Sequence, residues 1–170
     1  MISVRPITHA DTAFLYRVYA STRTEELAQT GWDEASKQAF LRMQFDVQSR
    51  HYAQHYPGAD FSIIERDGEP IGRLYVDRRP NEIRIIDIAI LPEHRGCGIG
   101  TRLLRSILED SASADLRVTL HVEQFNQARR LYQRLGFKDA ANLGIYQRME
   151  WRMPGHHGVG ALQQDTTQPA

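Results

Sequence analysis

The chain has 170 residues and carries 21 basic and 21 acidic side chains, so its formal net charge is zero. This length fits one ordinary domain with a real core, and the balanced charge gives no overall attraction to nucleic acid or to an anionic membrane. One cysteine, Cys97, excludes an internal disulfide. No apolar run approaches the roughly 20 residues of a membrane span, and the N-terminus lacks the pattern of a signal peptide. We therefore expect a soluble protein in the reducing cytoplasm.

The first third of the chain predicts a short strand and two helices. Residues 3–7 alternate as a strand, and the apolar residues from Phe14 to Tyr19 then recur at helical spacing. Residues 21–30 are polar. Asp33 or Ser36 could start a second helix, which Pro57-Gly58 stops. The apolar stripe expected on this second helix consists of Ala39, Phe40, Met43 and Val47.

The middle of the chain predicts three strands. Residues 61–65 and 71–76 flank Asp67-Gly68, a strong hairpin signal. Residues 83–91 form an apolar run that is broken by Arg84 and Asp87, and Pro92 ends it. Such a run is typical of a central strand that is covered on both faces.

The remaining elements are a helix, a strand, a second helix and two further strands. The first helix is expected over residues 101–108. Residues 116–122 then alternate as a half-buried strand with polar residues on one face. Residues 127–135 predict a short helix that ends at Gly136, and extended segments follow from Phe137 and over 145–153. Residues 154–170 lack periodicity, so we expect one α/β domain over 1–153 and a mobile C-terminal extension over 154–170.

Three glycines at alternate positions lie between the central strand and the helix that follows it. In Arg95-Gly96-Cys97-Gly98-Ile99-Gly100 they allow positive φ angles and a close approach of the backbone to a ligand. The amides of this loop lie at a helix N-terminus, which favours an anion such as phosphate. The loop lacks the Gly-Lys-Ser/Thr of a P-loop and the third glycine of the Rossmann pattern.

The pattern Arg-x-x-Gly-x-Gly after a strand ending in Ile-Ala-Ile-Leu-Pro resembles the GCN5-related N-acetyltransferase (GNAT) family, which binds acetyl-coenzyme A. The order of predicted elements matches this family over nearly its full length. This chain also resembles a second signature of the family, the pattern Asn…Ala…Tyr…Gly-Phe, at residues Asn126, Ala128, Tyr132, Gly136 and Phe137. Here the asparagine and alanine are two positions apart where the family has three, so Phe125 competes for the place of the asparagine.

The resemblance implies the fold and the coenzyme site. The fold is an α/β acyl-CoA acyltransferase fold, a mixed sheet of about seven strands with flanking helices, in which the fourth and fifth strands splay apart. Loop amides would hold the pyrophosphate, the edge of the central strand would pair with pantetheine, and a backbone N–H near Ile88 could stabilise the oxyanion. Arg95 either faces phosphate or braces the loop, and Cys97 is a spacer. The implied cofactor-binding residues are Ile88, Ala89, Ile90, Arg95, Gly96, Cys97, Gly98, Ile99, Gly100, Thr101 and Asn126.

Acyl transfer from a thioester to an amine also needs an acid for the thiolate and a base for the ammonium proton. Tyr132 is the candidate acid, because the family pattern places it near the sulfur and the reference pKa of tyrosine, about 10, is close to that of a thiol. The alternative is that Tyr132 contacts the cofactor or packs in the core. The candidate bases are Asp87, which interrupts an apolar strand, and His121, which titrates near neutrality. Glu82 or Glu123 could instead act through water.

The acceptor is expected to bind at the first two helices and their connection. Trp32, Tyr52 and Tyr56 could form an aromatic wall for an amine or could pack the helix against the sheet. His51 and His55 lie one helical turn apart, but no third ligand is near in sequence, so we expect no metal.

These inferences together predict an acetyltransferase. We expect transfer of an acetyl group from acetyl-coenzyme A to a primary amine of a small molecule or peptide, by direct attack in a ternary complex. The alternative is a non-catalytic sensor that binds acyl-coenzyme A. We expect neither nucleic acid nor membrane as a partner, and exposed edge strands allow a homodimer.

Overall fold

The computed structural model describes residues 1–155; positions 156–170 of the expected extension lie outside the described residues. The helices are α1 (Thr12–Ser21), α2 (Thr24–Ala28), α3 (Glu34–His55), α4 (Ile99–Ser113) and α5 (Ala128–Arg134). The strands are β1 (Ile2–Pro6), β2 (Asp60–Arg66), β3 (Glu69–Arg78), β4 (Glu82–Ile90), β5 (Arg117–Glu123), β6 (Lys138–Leu143) and β7 (Tyr146–Trp151). Among residues 1–155, no helix combines the length and apolar character that a bilayer crossing requires.

The strands form a mixed sheet in the order β1-β2-β3-β4-β5-β7-β6. β4 runs parallel to β5, whereas the pairs β1–β2, β2–β3, β5–β7 and β6–β7 are antiparallel. The expectation of an α/β fold with about seven strands and flanking helices is confirmed. The parallel pairing joins Glu82–Ile85 in the first half of β4 to Arg117–Leu120 of β5.

The chain divides into two compact units. The first consists of Met1–Asp77 and Asp87–Ile99, and the second consists of Arg78–Ile86 and the chain from Gly100 onward. In the first unit, Ile63 and Ile64 of β2 and Ile71 of β3 are fully buried.

A buried carboxylate connects β1 to the start of α1 in this first unit. Asp11 accepts hydrogen bonds at 2.9 Å from both terminal nitrogens of Arg5, whose Nε contacts Glu65 at 2.6 Å. The hydrogen bonds from Arg5 hold the pKa of Asp11 far below its usual range. The backbone N–H of Thr8 also donates to this carboxylate, at 2.8 Å.

α3 begins as predicted but buries a different stripe. The Asp33 side chain accepts from the Ser36 N–H at 2.7 Å, so Asp33 is the N-cap. The buried residues are Leu41 and Phe45, whereas Met43 is 52% exposed and Val47 is 50% exposed. The expected stripe was therefore wrong, since Ala39 is exposed as well and Phe40 is only half-buried. Hydrophobicity marks an apolar face without showing which face meets the core. The short helix α2 was not predicted, since its segment is polar.

In the second unit, β5 is buried more completely than its alternation predicted. Val118, Leu120 and Val122 face the core as expected, but Thr119 on the opposite face is fully buried as well. Its hydroxyl accepts a hydrogen bond from Nε of Arg84 at 2.8 Å and donates to Glu82 at 3.1 Å. The polar face of β5 therefore belongs in part to a buried ionic cluster.

We expect Gly72→Ala to lower the free energy of unfolding by about 1–3 kcal/mol, the usual cost of forcing extra atoms into a packed core. A Cβ at Gly72 would lie 2.4 Å from the backbone oxygen of Ala89, which cannot rotate away. Chemical denaturation measures the change, with Gly58→Ala as the control because a Cβ there meets nothing within 4 Å. Equal stability of Gly72→Ala and the wild type would contradict this close approach of β3 to β4.

Candidate functional site

The loop between β4 and α4 has the backbone geometry that its glycines predict. After β4 ends at Ile90, a short 3-10 turn covers Pro92–His94. Gly96 and Gly98 then adopt φ angles of 75° and 77°, a left-handed conformation that a side chain would strain. Gly100 differs from the expectation, because it lies in the first turn of α4 and has no positive φ.

The loop exposes several backbone donors. His94 and Arg95 donate their N–H groups to the carbonyls of Leu91 and Pro92. In the described part of the chain, no backbone hydrogen bond is donated by residues 96–98, and all three are exposed. The N–H groups of the first turn of α4 follow, and they have no intrahelical acceptor by the geometry of a helix. Free N–H groups at a helix N-terminus favour the binding of an anion.

Two arginine side chains hold this loop, one from the loop itself and one from α1. Nε of Arg95 donates to the carbonyl oxygen of Ile90 at 2.7 Å, and Arg17 on α1 pairs with Glu93 at 2.6 Å. The contact between Arg95 and Ile90 is the one that a bracing role requires, and the alternative, that Arg95 faces phosphate, stays a prediction. Cys97 is exposed, and its thiol lies 3.6 Å from the carbonyl oxygen of Arg95.

The second half of β4 is half-buried from Ile86 to Ile90. Beneath it, Gly72 on β3 provides the space for the backbone of Ala89. The N–H of Leu91 donates to the carbonyl oxygen of Ile71 at 2.9 Å. β3 thus fixes the backbone of the segment that precedes the loop.

Asp87 on β4 forms an ion pair with Arg73 on β3. Nε of Arg73 lies 2.5 Å from Oδ2 of Asp87, and the Nη2 atom donates to Oε1 of Gln48 on α3 at 2.9 Å. The Arg73 side chain is 4% exposed, whereas that of Asp87 is 26% exposed. Burial is the largest single influence and lowers the pKa of Arg73, but the charge of Asp87, the two tyrosines Tyr75 and Tyr52 and the hydrogen bond to Asp87 together outweigh it, so the pKa is raised. Sequence reasoning missed Arg73, although a charged residue inside the apolar run IGRLYV was the available signal.

Three predicted site residues lie in the second unit. Tyr132 on α5 is 8% exposed, and its ring packs edge-on against Phe137 with a centroid distance of 5.8 Å. His121 is half-buried on β5, opposite Arg148 of β7. Oδ1 of Asn126 accepts the N–H of Ala128 at 2.9 Å, which orders the start of α5. Phe125 is fully exposed.

The carboxylate of Glu82 is engaged in the buried ionic cluster of the second unit. Oε1 accepts from Arg79 at 3.0 Å and from Arg84 at 3.3 Å. Oε2 accepts from Thr119 at 3.1 Å and lies 3.3 Å from Nε of Arg117. With both oxygens bonded and the residue 3% exposed, Glu82 is suited to stabilising β4 and β5 and poorly suited to relaying protons through water.

The predicted acceptor residues lie at opposite ends of α3. Trp32 precedes the helix and packs against Phe40 with a centroid distance of 5.4 Å. Tyr52 lies near the other end, beside Tyr75 of β3 at 5.8 Å, and Tyr56 is 7% exposed. Since α3 has 22 residues, these ends are about 30 Å apart, so the three aromatics do not form one wall.

The two histidines near the end of α3 stack on each other, with ring centroids 4.0 Å apart. Burial lowers the pKa of His51, and the charge of His55 lowers it further. Within residues 1–155, no group of three or more His, Cys, Asp or Glu side chains is arranged to hold a metal ion.

Sequence comparison relates the chain to acetyltransferases. The sequence profile of the Acetyltransferase (GNAT) family matches residues 21–137. A ribosomal protein bS18-alanine N-acetyltransferase from Haemophilus influenzae is 35% identical over 60 residues, which cover 35% of this chain and 41% of that protein. The chain spans between 10% and 60% of the length of four curated relatives that it matches.

Solved structures share the fold. PaiA N-acetyltransferase from Thermoplasma acidophilum, in complex with coenzyme A, has a TM-score of 0.69 at 19% identity, over 90% of this chain and 99% of that one. Spermidine N-acetyltransferase from Vibrio cholerae, in complex with coenzyme A and spermine, has a TM-score of 0.59 at 20% identity, over 89% of this chain and 95% of that one. At these identities the likeness concerns the fold.

Proposed function

Because the chain belongs to the acetyltransferase (GNAT) family, we propose that it transfers an acetyl group from acetyl-coenzyme A to a primary amine. The observation that carries this proposal is the exposed loop between β4 and α4, whose residues 96–98 donate no backbone hydrogen bond within the described chain. A diphosphate would satisfy these donors and the first turn of α4 together. The exposed thiol of Cys97 is a spacer in this scheme, and its backbone N–H is the functional group.

The coenzyme would extend from the loop along β4. The parallel pairing with β5 covers Glu82–Ile85, and we propose that the segment Ile88 to Ile90 pairs with the amides of pantetheine. Gly96 to Thr101 hold the diphosphate, and the N–H near Ile88 stabilises the oxyanion of the tetrahedral intermediate. Asn126 has its Oδ1 engaged with Ala128, so its side-chain NH₂ group is the part that would reach the coenzyme.

The chemical step is a direct attack in a ternary complex. The amine nitrogen forms a bond to the thioester carbon while the bond from that carbon to sulfur breaks. One proton leaves the nitrogen for His121, Asp87 or water, and the departing thiolate takes one proton from the hydroxyl of Tyr132. Tyr132 then recovers a proton from solvent, so that the acetylated amine and free coenzyme A are the products.

The acceptors named for similar proteins support a primary amine as the acceptor of this chain. The names of similar proteins include a ribosomal protein bS18-alanine N-acetyltransferase and a spermidine N-acetyltransferase. We propose that the acceptor here is likewise a primary amine, on a peptide or on a small molecule. The cytoplasmic location, the homodimer and the division into a catalytic domain over 1–153 with an extension over 154–170 stay predictions.

Incubation of the purified chain with acetyl-coenzyme A and an amine panel tests the transfer. The panel contains an N-terminal alanine peptide, spermidine and free amino acids, and we expect at least one amine to yield free thiol and an acetylated product by mass spectrometry. Omission of the amine is the control for hydrolysis. Binding of coenzyme A with no thiol released for any amine would contradict an enzyme and would favour an acyl-coenzyme A sensor.

Tyr132→Phe tests the acid. We expect turnover to fall by about 10²-fold or more, the usual contribution of a general acid, while affinity for coenzyme A stays nearly unchanged because the ring still packs on Phe137. Steady-state kinetics and calorimetric titration measure both quantities. Tyr16→Phe is the matched control, since its hydroxyl bonds Gln38 at 2.7 Å in the first unit. An unchanged turnover number for Tyr132→Phe would reduce this tyrosine to a packing role.

A further inference from the structure

An asymmetric ion pair lies between β3 and the second half of β4 in the first unit. The guanidinium of Arg73 is almost completely buried, whereas the carboxylate of Asp87 retains a quarter of its exposure. Such an arrangement is costly to form, because burying a charged group requires compensation by good geometry. Because a quarter of its side-chain surface is exposed, Asp87 is the member of this pair that a ligand can reach.

Each contact of Arg73 restrains the guanidinium. Nε is bonded to Oδ2 of Asp87, Nη2 is bonded to Gln48 on α3, and the guanidinium carbon lies 5.1 Å from the ring centroid of Tyr75. A planar guanidinium held at two edges and over one ring has a single orientation. Arg73 therefore fixes the direction of the Asp87 carboxylate as well as balancing its charge.

The second oxygen of that carboxylate is open. Within the described residues, Oδ1 of Asp87 makes no hydrogen bond. Tyr52 on α3 lies within electrostatic range: burial raises the pKa of its hydroxyl, and the negative charge of Asp87 raises the pKa further. Tyr52 also packs edge-on against Tyr75. Tyr52 therefore belongs to the same surroundings as the ion pair, through its contact with Tyr75 and the influence of Asp87 on its hydroxyl.

We propose that Arg73 is a positioning residue for the acceptor. It holds Asp87 so that Oδ1 of Asp87 accepts a hydrogen bond from the nitrogen of a primary amine beside Tyr52. This inference rests on the proposed acetyl transfer and names the group that binds the acceptor in it. The ion pair uses the carboxylate form of Asp87, which is the form that binds an N–H donor. In this scheme Asp87 orients the amine, so the proton released during attack passes to another of the acceptors proposed above.

A purely structural role for Arg73 makes a different prediction. A structural ion pair would affect stability. Its loss would lower the amount of folded enzyme and leave the KM values of both substrates unchanged. A positioning role acts on the amine, because Asp87 contacts the amine in this scheme while the loop binds the coenzyme. The ratio of the two KM values separates these roles, since an overall loss of folded enzyme changes neither KM.

The test uses steady-state kinetics of the full chain with acetyl-coenzyme A and the best amine of the panel. We expect Arg73→Lys and Asp87→Asn each to raise KM for the amine by about tenfold, the loss expected for one charge-assisted hydrogen bond. KM for acetyl-coenzyme A should stay within about twofold. The double variant should lose little more than either single one, because both substitutions remove the same contact.

Two further variants complete the design. Gln48→Leu removes one restraint on Arg73 at a half-buried position on α3, so it should fold and should raise KM for the amine by a smaller factor in the same direction. Arg78→Lys is the matched control on β3, since its side chain is 46% exposed and pairs with Asp110 at 3.2 Å. We expect no change in either KM for this control.

The outcomes distinguish this inference from the function on which it rests. If the wild type transfers acetyl groups while Arg73→Lys and Gln48→Leu keep the wild-type KM for the amine, Arg73 is structural and the inference is overturned. If Arg73→Lys fails to fold, Gln48→Leu decides alone. If the wild type releases no thiol with any amine, the proposed function fails together with this account of Asp87.

Discussion

Free backbone N–H groups at the turn from β4 to α4 are the constraint on which the rest of the account depends. A helix N-terminus always leaves such donors, and they need a partner from a side chain, water or a ligand. Here two glycines with positive φ angles turn the backbone so that residues 96–98 add their own exposed donors to those of α4. A loop with this surplus of donors favours a ligand rich in negative oxygens, and a diphosphate meets that requirement.

β4 carries this loop, and ionic contacts restrain β4 at two points along its length. In the second unit, Glu82 at the start of β4 collects hydrogen bonds from Arg79, Arg84 and Thr119. In the first unit, Asp87 on the same strand is held by Arg73. Buried ion pairs add little net stability compared with apolar packing, but breaking one is costly. They fix the strand in a single arrangement, which is what a site built from backbone atoms needs.

The sequence predicted the fold well because its signals were local. The apolar run of β4, the glycines after it and the hairpin at Asp67-Gly68 each specify a backbone conformation within a few residues. Contacts between distant residues could not be predicted in this way. Neither the pairing of Arg73 with Asp87 nor the engagement of Glu82 has a spacing that marks it, and the buried face of α3 depends on what packs against Leu41 and Phe45. The backbone conformation of the loop between β4 and α4 was therefore predictable, whereas the surroundings of the candidate bases were not.

Backbone amide shifts report directly on whether the loop binds the diphosphate. In two-dimensional ¹⁵N–¹H spectra of the labelled chain titrated with coenzyme A, we predict that the largest shifts fall on the amides of residues 96–101. Pantetheine, which lacks the diphosphate, should leave those amides unmoved. Coenzyme A that binds without shifting residues 96–101, or that shifts them no more than pantetheine does, would contradict the account.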